Sequence, residues 1–146
     1  MQCLAVGSAM MLMMEALSHI SATVRIEAVH FLQGETAATV SGEVSGYDSV
    51  RYVIGAGARQ TISVRLVPGS ESCALRVWTP GADEPDFADA MTGNDYLARH
   101  ARPGVYTAQV HLTRAAARRG DTCAYRVNIE LTGNADVLEK ARRRGL

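Results

Sequence analysis

The sequence has no net charge, its fifteen Lys and Arg being balanced by fifteen Asp and Glu, so nothing in its bulk draws it to nucleic acid or to a membrane surface. The apolar run Cys3 to Met14 stops at twelve residues, too few to span a bilayer. Its four histidines, His19, His30, His100 and His111, form no pair at ligand spacing, and Cys3, Cys73 and Cys123 match no metal motif. There is no Gly-x-Ser-x-Gly elbow for a nucleophile. Gly55-Ala56-Gly57 lies between two extended runs rather than before a helix, and so reads as a turn, not a phosphate loop. Asp83, Asp86 and Asp89 lack the alternating order of a calcium loop. The expectation is a protein that is not an enzyme, with no metal and no cofactor.

What is present is a succession of period-two runs. Val24, Ile26 and Ala28 alternate with Arg25 and Glu27; Val50, Tyr52 and Ile54 share a side; Ile62, Val64 and Leu66 alternate with Ser63 and Arg65. Each pattern is that of a strand with one face buried. Thr36 to Val44 is a weaker strand, because Ala37, Ala38 and Gly42 have little β-propensity. Pro68-Gly69, Pro80-Gly81 and Pro103-Gly104 mark turns. They bracket a strand at Cys73 to Trp78, and a short one follows near Tyr96 to Arg99. With 146 residues and no long amphipathic helix between residues 23 and 131, the chain predicts a single all-β domain, an antiparallel β-sandwich of about eight strands.

Two further runs close the pattern. Tyr106, Ala108, Val110 and Leu112 form the apolar side of one, and Cys123, Tyr125, Val127, Ile129 and Leu131 that of the other. The ten residues between them, Thr113 to Thr122, are far more than a tight hairpin needs, and they hold Arg114, Arg118 and Arg119. Ala115, Ala116 and Ala117 favour one helical turn at the tip, which would set Arg114 and Arg118 four apart on one face and turn Arg119 away. Paired guanidinium groups suit a carboxylate or phosphate partner; solvated arginines that keep the protein soluble are the alternative. The loop also falls in the basic part of the chain. Residues 1–98 carry five basic and eleven acidic side chains, and residues 99–146 carry ten and four.

At the ends, residues 1–22 read as an export signal or a disordered N-terminus, with no basic residue ahead of the apolar run. Residues 132–146 form a basic tail, helical in pattern from Ala135 to Leu146. Cys73 and Cys123 fall in two predicted strands. They either form a disulfide in an oxidising compartment or stay as two buried thiols.

The order Ser41-Gly42-Glu43-Val44-Ser45-Gly46-Tyr47-Asp48, Tyr52, a turn ending at Gln60, Pro103-Gly104-x-Tyr106, Thr113-Arg114-x-x-x-Arg118 and Tyr125 resembles the bacterial periplasmic inhibitors of g-type (goose-type) lysozyme. The resemblance runs from about Val24 to Leu131. It implies a periplasmic or secreted β-sandwich whose partner is a g-type lysozyme, with Tyr47, Arg114 and Arg118 on the interaction surface and Arg119 beside them. A shorter span is similar to the pre-peptidase-type β-sandwich modules of secreted proteases, which implies an accessory or binding role but gives no part to Thr113 to Arg118. Oligomeric state is not legible in either.

Overall fold

The computed structural model describes residues 21–88 and 94–133, and in them the chain folds into two facing β-sheets. The strands in chain order are β1 (Val24–Ala28), β2 (Ala37–Ser45), β3 (Ser49–Ala56), β4 (Thr61–Pro68), β5 (Cys73–Trp78), β6 (Phe87–Ala88), β7 (Asp95–Ala98), β8 (Gly104–Leu112) and β9 (Thr122–Thr132). One helix, α1 (Arg114–Arg119), joins β8 to β9. The five-stranded sheet runs β1-β3-β8-β5-β6 and the four-stranded sheet β2-β9-β4-β7. The two long runs read as strands from their alternation thus belong to different sheets, β8 at the middle of one and β9 inside the other. The predicted helical tail, residues 1–20 and Asp89 lie outside the described residues.

The alternation in β3, β4, β8 and β9 places Tyr52, Ile54, Ile62, Val64, Leu66, Tyr106, Val110, Val127 and Ile129 between the sheets, each almost wholly removed from water. Burying a side chain of this size contributes roughly 1.5–3 kcal/mol relative to exposure. Near the centre the Tyr52 and Tyr125 hydroxyls meet at 2.7 Å, their rings edge to face. This contact explains a glycine in the weakest predicted strand. A Cβ built at Gly42 would stand 2.5 Å from the Tyr125 Oη, so β2 carries no side chain where the phenol crosses it.

Two features differ from the sequence expectation. The β1–β3 pair is parallel, whereas the other strand pairs of the described residues are antiparallel. The chain reverses between β1 and β2 and again between β2 and β3. With β2 placed in the opposite sheet, β3 returns beside β1 in the same direction. The face of β1 is also inverted: Val24 and Ile26 are 47% and 66% exposed, and Arg25 and Glu27 form an ion pair at 2.7 Å on the side shared with Tyr52. At this sheet edge polar groups can face inward because they pair with each other and reach solvent.

The sheets are joined covalently. Cys73 at the start of β5 and Cys123 near the start of β9 form a disulfide with Cα atoms 5.8 Å apart. The bond lies at the end of the sandwich that carries α1. There Thr113 donates its backbone N–H to the Ser72 carbonyl at 2.8 Å, and Gly69 donates to the Ala124 carbonyl at 2.7 Å.

Candidate functional site

The helix α1 is defined at both ends by local chemistry. Thr113 caps its start, its hydroxyl accepting from the Ala116 N–H at 3.3 Å. Gly120 closes it in the left-handed conformation, at φ 70°. The Gly120 N–H reaches the Ala117 carbonyl and the Asp121 N–H the Ala116 carbonyl, both at 3.0 Å, the paired bonds of a Schellman motif. Between the caps Ala116 and Ala117 are buried and anchor the helix to the sandwich, while Arg114, Ala115, Arg118 and Arg119 face solvent. The expected helical turn is therefore present, and Arg114 and Arg118 sit one turn apart on its exposed side. Arg119 is committed elsewhere: its Nε and Nη2 donate to Asp121 Oδ2 at 3.1 and 2.7 Å.

Tyr47 lies at the same end of the sandwich, on the tight turn from β2 to β3. The Asp48 N–H closes that turn onto the Ser45 carbonyl at 3.0 Å, leaving the Tyr47 ring 45% exposed. Three contacts hold it. The Gly46 N–H donates to the Asp121 carbonyl at 3.0 Å, the Ser45 and Thr122 hydroxyls meet at 2.9 Å, and Asp48 Oδ1 accepts the Thr23 N–H at 2.9 Å. The turn and the helix are thus neighbours through the backbone. Between them runs a groove of about 260 Å³ whose walls include Tyr47, Asp48, Arg76, Gln109, His111 and Arg114.

Arg76 and Gln109 went unremarked as site residues in the sequence, where each is one polar position in a strand. Only the adjacency of β5 and β8, with Arg76 opposite Gln109, brings them to the groove. Gln109 is buried despite its polarity and donates from Nε2 to Ser49 Oγ at 2.8 Å.

A larger cavity of about 410 Å³ lies at the opposite end of the sandwich, with Thr79, Asp86, Tyr96, His100 and Arg102 among its walls. Asp86 is occupied there, accepting from both the backbone N–H and the hydroxyl of Thr79. Burial pushes the Tyr96 phenol up to about 12, helped by Tyr106 and Asp86. Among the described residues no three His, Cys, Asp or Glu side chains converge to hold a metal ion.

No protein-family model matches the chain. A curated relative, the inhibitor of g-type lysozyme from Escherichia coli, is 30% identical over 106 residues, which cover 70% of this chain and 78% of the relative. Among solved structures, the periplasmic lysozyme inhibitor of g-type lysozyme from Aeromonas hydrophila superposes with a TM-score of 0.70 at 27% identity, covering 77% of this chain and all of the other. The corresponding Salmonella Typhimurium protein gives a TM-score of 0.56 at 26% identity, over 74% of this chain and 98% of its own.

Proposed function

Since the chain belongs to the family of g-type lysozyme inhibitors, we propose that it blocks a g-type lysozyme by presenting Arg114 and Arg118 to the acidic substrate cleft, with Tyr47 packed alongside. Glycoside hydrolysis depends on carboxyl groups flanking the scissile bond, so a cleft of this kind offers acceptors to a protruding cation. A guanidinium meets a carboxylate with two parallel hydrogen bonds, and the exclusion of water on docking strengthens both. The protein is an inhibitor rather than an enzyme: it fills the cleft and does no chemistry there. Its work is to protect bacterial peptidoglycan, and its relatives of known structure are described as periplasmic. An extracytoplasmic site of action also suits the Cys73–Cys123 disulfide.

The observation that supports this reading best is the bond from Gly46 to Asp121, because it seats Tyr47 beside the helix that bears the arginines. Rigid presentation matters to affinity. The two caps and the buried alanines hold α1 in shape before binding, so less freedom is lost when the complex forms. Arg119 serves differently from Arg114 and Arg118, steadying Asp121 and with it the Tyr47 turn. Family membership also favours this reading over the accessory module, which leaves α1 without a role.

The test is the lysis of peptidoglycan by a g-type lysozyme with the folded protein added, set beside c-type and i-type enzymes. Inhibition of the g-type enzyme at low molar excess is expected. A folded protein that leaves g-type activity untouched would overturn the proposal.

A further inference from the structure

The groove between Tyr47 and α1 has a second basic wall that belongs to neither the loop nor the turn. Arg76 lies on β5, exposed to solvent, opposite Gln109 in the five-stranded sheet. Two residues nearer α1 the same strand carries only the methyl of Ala74, opposite His111. Ala74 is buried, the Gln109 carboxamide is drawn to Ser49, and the groove runs from Arg76 to Arg114.

The charges around this groove are unbalanced. Arg76 has no ion pair among the described residues, whereas Arg25, Arg65 and Arg119 are each matched to a carboxylate. Arg51, its neighbour but one across the sheet, stacks over the Trp78 ring at 5.5 Å. Among the described residues Asp48 is the one carboxylate lining the groove, and its Oδ1 accepts the Thr23 N–H. Two guanidinium groups therefore border the groove against one carboxylate, an excess of positive charge that favours an anionic partner surface.

We propose that Arg76 is a further recognition residue for the lysozyme, pairing with a carboxylate at the rim of the cleft while Arg114 enters it. The inference rests on the inhibitor reading above and extends its contact surface from α1 onto the face of the five-stranded sheet. A charge at the rim acts mainly on the rate of association and is screened by salt, whereas a charge buried in the cleft acts mainly on dissociation.

The experiment measures association and dissociation rates of the full chain with a g-type lysozyme at low and high ionic strength. Arg76→Gln should slow association about threefold at low salt, and Arg76→Glu about tenfold or more, with the difference shrinking as salt rises. Arg76→Lys should restore most of the rate. Arg126→Glu, the same charge reversal on the outer face of β9, serves as the comparison. Arg76 is an exposed strand residue, and unchanged thermal midpoints will show that each variant is folded. Equal slowing by Arg76→Glu and Arg126→Glu would reduce the effect to net charge and overturn the proposal, as would no slowing by Arg76→Glu. If Arg76→Glu has no effect while Arg114→Ala/Arg118→Ala abolishes inhibition, only the Arg76 inference fails. If neither has any effect, the site itself lies elsewhere.

Discussion

The Gly46 N–H donates to the Asp121 carbonyl at 3.0 Å, and this bond links two segments that are 75 positions apart in sequence into one surface. Asp121 also accepts two hydrogen bonds from Arg119 through its side chain. The residue therefore joins the end of α1 to the turn that presents Tyr47. The Arg119–Asp121 pair is largely exposed, and such pairs contribute about 0–1 kcal/mol. Arg119→Ala should accordingly weaken inhibition by about fivefold or less, well short of the loss at Arg114. Inhibition constants for the two single variants, measured side by side, check the ranking.

Gly120 provides a test of helix presentation that touches no arginine. Its φ of 70° is unfavourable for any residue with a Cβ, and no heavy atom lies within 4 Å of where that Cβ would be. Gly120→Ala should therefore cost about 1–2 kcal/mol through backbone strain alone. Chemical denaturation will show this as a lower midpoint with an unchanged slope. Inhibition should weaken as well, because the altered cap supports α1.

The disulfide closes a loop between residues 50 positions apart, and it crosses from one sheet to the other beneath α1. On the chain-entropy argument a loop of this length is worth about 4 kcal/mol. Cys73→Ala/Cys123→Ala should lower stability by about 2–5 kcal/mol, as should reduction of the wild type. Urea titrations in the presence and absence of reductant measure the difference. Coincident curves for oxidised and reduced protein would contradict it.

Alkaline pH should destabilise the fold. Burial raises the phenols of Tyr52, Tyr96 and Tyr125 above their ordinary value, and the hydrogen bond from Tyr52 raises Tyr125 further. Above about pH 10 these phenols ionise in the unfolded chain but stay protonated in the native one, so the native state holds more protons and stability falls as pH rises. The Tyr96 contribution is lost between about 10 and about 12. Each such phenol adds a slope of at most about 1.4 kcal/mol per pH unit. Denaturation midpoints from pH 8 to 11 should be level at first and then decline. Tyr125→Phe should make the decline shallower while lowering stability at neutral pH, because the Tyr52 hydroxyl loses its partner.

Much of the sandwich was legible because burial on one side leaves a period of two, and Tyr52, Ile62, Val64, Val127 and Ile129 keep that period where both sheets cover them. The pattern fails at β1 for a physical reason. On an edge strand a side chain can face inward and still reach water, so the apolar Val24 and Ile26 point outward without a large cost. The parallel pairing of β1 with β3 was hidden as well, since periodicity says nothing about which sheet an intervening strand joins. In the candidate site, the helical turn followed from the three alanines, and the neighbourhood of Tyr47 and Arg114 was a consequence of the resemblance that the fold then made concrete. Arg76 was invisible. Its sequence context is that of any solvent-facing strand residue, and only the order of strands in the sheet brings it to the groove.

The role proposed for Arg114 and Arg118 is tested most directly by the inhibition constant of Arg114→Ala/Arg118→Ala against a g-type lysozyme, beside wild type. Truncating one member of a buried, hydrogen-bonded charge pair costs roughly 2–5 kcal/mol, so even one lost pair should weaken inhibition about thirtyfold or more. Both side chains are exposed in the free protein, so the thermal midpoint should stay close to that of wild type. A folded double variant that inhibits as tightly as wild type would contradict the account.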